Sequence, residues 1–348
     1  MNIKELLNLI RFVNKLKSMT KSNYGFKRPK KDKKNFLYGD GNLVGQVLRP
    51  DGQWDDYLPQ YEGQSKNGFD TMNCWNFSTQ KALKTLLIEQ GYEDKTIDYS
   101  ERYICVLGGG TTSGGSPAGA CEAIRKYGVI PDSALPWTDS ITNFYQYKQP
   151  NPMTPQYLTL GANWLKKYAY GYDYVKTSYG VWLWRVVKKM VSGNKLSGDQ
   201  QNMIKDALQY SPLGVSVCAW QFRNGMAYKN SWNTDNHWIE LYGYEDGKYW
   251  KLYDNYNNMW IRAEWNYPFG FIMRYVVTKK INNNDVMTTI KKVGDPKVYL
   301  VSPTKQLIHI EAEASYNMLI MMGVITPCIE VANLDGYVIQ PGILTIGS

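Results

Sequence analysis

Apolar positions at Leu6, Leu7, Ile10, Val13 and Leu16 share one helical face and predict an amphipathic helix over residues 2–17. A polar basic stretch follows, KSNYGFKRPKKDKKN, and then a turn-rich run over 40–66. From Cys74 to Gln90 the pattern becomes helical, with Ala82, Leu83, Leu86 and Leu87 in register and Gly91 as its stop. A glycine-rich loop over 107–116 leads into a second helix near Pro117 to Lys126. Trp164–Lys167, Val181–Met190 and Asp199–Gln209 also read as helical. Beyond Leu213 the period changes. LGVSVCAW, HWIELYGYE, KYWKLYDNY and FGFIMRYVV are short, β-branched, aromatic and separated by turns, which predicts antiparallel strands. After a polar break at INNNDVMTT, the segments KVYLVS, LIHIEAE, CIEVAN and YVIQPGILTI predict a small β-rich terminal domain. Helices followed by strands make the expected class α+β. The expected divisions are a basic arm over 1–39, a body over 40–282 and a β-rich C-terminal domain over 283–348.

Composition narrows the function classes. The 348 residues are 43% apolar and 20% charged, with 12 Trp and 28 Tyr, which suits a globular chain and excludes a mainly disordered one. The longest apolar run, Met318 to Ile325, is eight residues, against about 20 for a membrane-spanning helix. The net charge of +9 is local. Residues 1–34 hold eleven Lys/Arg against Glu5 and Asp32, leaving 29 basic and 29 acidic side chains elsewhere. A nucleic-acid-binding body is therefore not expected. The arm reads as a docking helix for a partner or for the body, with a membrane-surface or nucleic-acid role as the alternative.

The five cysteines, Cys74, Cys105, Cys121, Cys218 and Cys328, form no CxxC. Neither a disulfide scaffold nor a cysteine zinc site is expected, and free thiols suit a reducing compartment. The histidines are His237 and His309 only. The glycine-rich loop lacks a Gly-Lys-Ser/Thr, so it is not a phosphate loop. His309 reads as a strand residue, and no metal or cofactor is expected.

Cys74 falls at the start of a predicted helix, where free N–H groups and the helix dipole favour a thiolate. His237 begins a predicted strand, and Asp254 ends the next one. If the two strands pair, a carboxylate lies beside the imidazole and fixes its tautomer. Taken singly, each residue has a plainer explanation: a packed thiol, a structural histidine, a turn carboxylate.

Together they resemble the papain-like cysteine peptidases. Cys74-Trp75-Asn76-Phe77-Ser78 resembles that family's C-W-x-F-S, and Asn236-His237 its N-H strand, with Gly243-Tyr244 after it. Tyr249 to Tyr256 stands where the family has Y-W-x-x-K-N-S-W. Leu213 to Val217 resembles G-P-V-S-V, Gly114-Gly115-Ser116-Pro117 with Ala120 resembles G-G-x-P-x-x-A, and Leu135-Pro136-Trp137 resembles Y-P-Y. The matches are collinear from about Leu58 to Val277. The resemblance implies a helical lobe and a β-barrel-like lobe. It implies Cys74 as nucleophile, His237 as general base, Asp254 as orienting group and Gln64 as oxyanion-hole donor, with Gly114, Gly115 and Asn236 lining a peptide-binding cleft.

There are departures from the family pattern. Gln64 lies ten residues before Cys74, a longer spacing than the family's, Asp254 replaces an Asn, and Tyr256 replaces a Trp. The family's cysteines flanking the nucleophile are missing, and its long inhibitory prosegment is not visible in the residues before the body. The expected function is a peptidase acting on peptide or protein substrates. The alternatives are a catalytically silent module in a larger assembly such as a virus particle, with arm and terminal domain as docking elements, or a cell-wall amidase or endopeptidase. Without a recognisable signal peptide, a cytoplasmic or virion-associated setting is expected.

Overall fold

In a computed structural model, residues 25–29, 46–176, 195–230, 234–256, 259–280, 288–294, 297–301, 306–310, 329–331 and 338–344 are described. The expected helices over 2–17 and Val181–Met190, and Cys328, lie outside these residues. The chain divides into two compact units, Met1–Thr278 and Lys279–Ser348. It is α+β, and no helix among the described residues is long and apolar enough to cross a membrane.

Helix α1, Cys74–Glu89, is the centre of the first unit, and every residue from Cys74 to Leu87 is buried. Trp75, Leu83, Leu86 and Leu87 supply the apolar faces, each contributing about 1.5–3 kcal/mol on burial. A helix buried on all sides must also satisfy its polar groups internally. Asn76 Nδ2 donates to the Glu101 carbonyl at 2.7 Å, and Ser78 Oγ donates to the Trp238 carbonyl at 3.0 Å. Around α1 lie α2 (Glu101–Leu107, capped by Ser100), α3 (Pro117–Tyr127), α4 (Phe144–Tyr147), α5 (Pro155–Lys167) and α6 (Gly198–Leu208).

A two-residue hairpin, β1 (Ser65–Lys66) and β2 (Phe69–Asp70), precedes α1. The main sheet takes β3 (Tyr168–Lys176), β4 (Leu213–Val217), β5 (Phe222–Arg223), β6 (Met226–Ala227), β7 (His237–Glu245), β8 (Tyr249–Asp254), β9 (Met259–Glu264) and β10 (Ile272–Lys279). Its order is β3-β10-β4-β7-β8-β9-β6-β5. The expected barrel-like lobe is instead an open sheet among the described residues, with β3 and β5 at opposite edges. The β5 edge is only a two-residue hairpin arm around Asn224-Gly225, both at positive φ, too short to reach the far edge.

The second unit carries a five-stranded mixed sheet of β11 (Thr288–Lys292), β12 (Val298–Val301), β13 (Gln306–Ile310), β14 (Ile329–Val331) and β15 (Val338–Leu344), ordered β14-β11-β12-β13-β15. His309 lies on β13 opposite Tyr299.

Glu62, Asp98 and Glu101 bring carboxylate oxygens within 4.8 Å of one another. The cation they need is already there. Lys84 of α1 binds Glu62 closely and lies 3.6 Å from Asp98 and 3.9 Å from Glu101. Burial opposes charge on Lys84, but the three carboxylates outweigh it and raise its pKa. Burial raises the Asp98 carboxyl to about 7, helped by the charge on Glu62. Lys84→Met strands these acids without a cation and should cost about 3–5 kcal/mol at pH 8. The loss should shrink at pH 5, where the carboxyls protonate. Urea unfolding of variant and wild type at both pH values checks this; an equal loss at the two would refute it.

Candidate active site

Cys74 is the first residue of α1 and is fully buried. Asn73, at the N-cap position, does not cap the helix; its Nδ2 donates instead to the Tyr147 hydroxyl at 3.1 Å. Among the described residues, no acceptor takes the Cys74 backbone N–H. The start of α1 thus keeps an N–H and the positive end of the helix dipole beside the sulfur.

His237 opens β7, opposite Val217 of β4. The β7–β8 register, Glu240↔Tyr253 and Leu241↔Leu252, sets Asp254 opposite Ile239. His237 and Asp254 are then diagonal neighbours on one face. Their atoms Nε2 and Oδ1 are 2.6 Å apart, and both side chains are fully buried. Asp254 accepts two further bonds: Trp220 Nε1 donates to Oδ2 at 2.6 Å, and the Tyr256 backbone N–H donates to Oδ1 at 3.3 Å. The Tyr256 ring lies over the imidazole, with centroids 5.3 Å apart.

These contacts set the charges. Burial works against a charged His237, but the negative charges of Asp254 and Cys74, and hydrogen bonds to both, raise its pKa to about 10. Burial pushes Asp254 upward, yet His237 and the N–H groups of Trp220 and Tyr256 hold it below its ordinary value. The arrangement favours an imidazolium held against the Asp254 carboxylate.

Gln64 is buried, and the extra residues before Cys74 are taken up by the β1–β2 hairpin. Gln64 and Thr71 close its base, with Thr71 N–H on the Gln64 carbonyl at 3.0 Å. The long spacing therefore leaves Gln64 beside the site. Its Nε2 donates to Tyr256 Oη at 2.8 Å and to Asp70 Oδ1 at 3.1 Å, so both N–H groups are engaged.

Gly114 and Gly115 are glycines for different reasons. A Cβ on Gly115 would meet the Trp75 ring at 2.3 Å. Gly114 has φ +92° and would meet the Gly25 carbonyl oxygen at 1.7 Å. The main chain of Gly115 is paired with the chain's own N-terminal segment. Gly115 N–H donates to the Gly25 carbonyl at 2.9 Å, and Lys27 N–H donates to the Gly115 carbonyl at 2.7 Å. Phe26, between them, is buried and stacks on Trp238 at 5.7 Å. Asn236 Oδ1 accepts the Ala219 N–H at 3.0 Å, which ties down the loop carrying Trp220.

The structure thus gathers Cys74, His237, Asp254 and Gln64, and lays residues 25–27 along Gly115. Sequence reasoning missed Trp220, one of 12 tryptophans at no telling spacing, and Asp70, whose carboxylate binds the Tyr256 hydroxyl.

The chain matches no protein-family model and no curated protein. Among solved structures it is similar to several papain-like cysteine proteases. Digestive procathepsin L 3 from the larval midgut of Tenebrio molitor aligns at 18% identity and TM-score 0.47, over 73% of this chain and 76% of that one. Xylellain, a cysteine protease from Xylella fastidiosa, aligns at 15% and 0.46, over 73% and 96%. Bromelain from Ananas comosus aligns at 15% and 0.41, over 64% and 97%.

Proposed function

We propose that this chain is a cysteine peptidase that hydrolyses peptide bonds through Cys74. The observation that carries the reading is an uncapped helix N-terminus bearing Cys74, next to an imidazole whose far nitrogen is held by a buried carboxylate. The Cys74 thiolate attacks the scissile carbonyl carbon. The tetrahedral oxyanion accepts the Cys74 backbone N–H, and Gln64 Nε2 joins it by giving up the Tyr256 hydroxyl. His237 delivers its proton to the leaving amine, and a thioester remains on Cys74. His237, now neutral, takes a proton from water, which attacks the thioester and frees the acid and the thiolate. Asp254 keeps the imidazole in the tautomer that serves both steps.

A peptide substrate is supported by the Gly115 edge, whose N–H and C=O already pair with backbone on either side of Phe26. The same occupancy supports a second reading, a silent module that holds a peptide segment without cutting it.

Two measurements separate these readings. Brief treatment with a peptidyl-epoxide thiol inhibitor should add the mass of one inhibitor molecule to the intact chain, at Cys74, and the adduct should disappear in Cys74→Ala and His237→Ala. No preference for Cys74 over the other thiols in the folded protein would favour the silent module. If residues 25–29 compete with substrates, Phe26→Ala, which removes a buried stacked ring, should raise the rate of adduct formation about tenfold. An unchanged rate would mean that the segment does not obstruct the site.

A further inference from the structure

Where the family resemblance leads one to expect an amide, this chain has Asp254, and the groups around its carboxylate explain the exchange. Oδ1 faces His237 Nε2 at 2.6 Å, and Oδ2 faces Trp220 Nε1 at 2.6 Å. An indole nitrogen only donates, and an imidazolium donates from both nitrogens. Both oxygens of residue 254 must therefore accept. An asparagine offers one acceptor oxygen and one donating NH2. With its oxygen on His237, its NH2 would face the Trp220 N–H, two opposed donors where residue 254 is fully buried and the indole partly so. With the amide turned over, its NH2 would face His237 Nε2, and the imidazole would have to give up the proton there.

Trp220 is placed for this contact by its own surroundings. Its loop leaves β4 at Val217 and is held by the Ala219 N–H bond to Asn236, one residue before His237. Its ring meets the imidazole edge-on, at 6.3 Å and 89°, and packs beside Phe222 at 6.4 Å. The indole therefore touches both members of the pair.

We propose that Trp220 is a positioning residue that fixes the Asp254 carboxylate and, through it, the His237 imidazole, and that its N–H makes a carboxylate obligatory at position 254. The role in reactivity rests on the cysteine-peptidase reading; the hydrogen-bond requirement does not. The indole acts on Cys74 only through Asp254 and His237.

The test is a double-mutant cycle on the full chain with Asp254→Asn, Trp220→Phe and the two combined, read by the rate of Cys74 alkylation with iodoacetamide and located by peptide mass. Asp254→Asn alone should slow alkylation about 30-fold, since it removes a charge-assisted bond and leaves opposed donors. In the Trp220→Phe background the same change should cost about tenfold less, because the opposed donor is gone. An equal cost in both backgrounds overturns the proposal. The second readout is the indole N–H proton resonance of Trp220, assigned by its loss in Trp220→Phe. It should lie downfield in wild type and move upfield in Asp254→Asn, and an unmoved resonance overturns the proposal. If wild-type Cys74 reacts no faster than in His237→Ala, the peptidase reading fails, and the indole resonance still decides the Trp220–Asp254 bond.

Discussion

The helix that carries Cys74 has no solvent face over its first fourteen residues. Burial of that extent means each polar group on α1 needs a partner in the surrounding layers. Asn255, next in sequence to Asp254, meets that demand for Ser78 and Lys81. Its Oδ1 accepts from Lys81 Nζ at 2.6 Å, and its Nδ2 donates to Ser78 Oγ at 2.8 Å. Its carbonyl accepts from the Gln64 N–H and from the Tyr61 hydroxyl, both at 3.1 Å. One residue thereby anchors the end of β8 and the loop of Gln64 to the helix of Cys74. The relative position of Cys74, Asp254 and Gln64 is set by satisfying a buried helix.

The electrostatics follow from the same burial. In a site closed to water an imidazolium needs an anionic neighbour, and Asp254 supplies one to His237. An amide at 254 would supply a hydrogen bond but no charge. The carboxylate supplies both, and three N–H donors share its charge, which keeps it ionised although buried. Tyr256 closes the site from the direction of Gln64, with its hydroxyl on Asp70 and its ring over His237. Shielding of the pair is thus divided between a tyrosine on the β8 side and Trp220 on the β4 side.

Much of this is legible in the sequence, for identifiable reasons. Helix α1 shows in its run of helix-forming leucines ended by Gly91, and strands β4, β7, β8 and β10 show as short β-branched and aromatic runs between turn signals, while the Cys-His-Asp order depends only on which strands are neighbours. The Gln64 spacing reads as too long because a two-residue hairpin has no hydrophobic pattern of its own. Its signal is Asn67-Gly68, both at positive φ, the pair a tight hairpin favours. Strand β3 escapes the sequence reading although Tyr168, Tyr170, Tyr172 and Tyr174 alternate at the strand period and are all buried. Helix α2 is seven residues long, too short for a helical stripe to stand out. Trp220 is invisible because its role depends on a loop conformation, and loops are set by tertiary contacts such as Ala219 to Asn236. The barrel expectation comes with the resemblance rather than from the residues, and a two-residue edge strand does not meet it.

The segment over 25–29 binds as a peptide would at Phe26 and Lys27, yet differs from one at Gly25. There φ is +96°, and a Cβ would meet the Met72 carbonyl oxygen at 2.1 Å and its Cα at 2.9 Å. Gly114 approaches from the other side under the same restriction. Two glycines, one on each chain segment, allow a backbone-to-backbone approach that an ordinary L-residue at either place would prevent. A peptide with a side chain at the Gly25 position cannot follow this path and must keep an extended backbone further from Met72. The paired bonds at Gly115 use backbone groups alone, whereas the close passage beside Met72, two residues before Cys74, is restricted to glycine. Backbone pairing and exclusion of side chains occur within one residue of each other, so this segment fills the Gly115 edge in a conformation that a side chain at position 25 forbids.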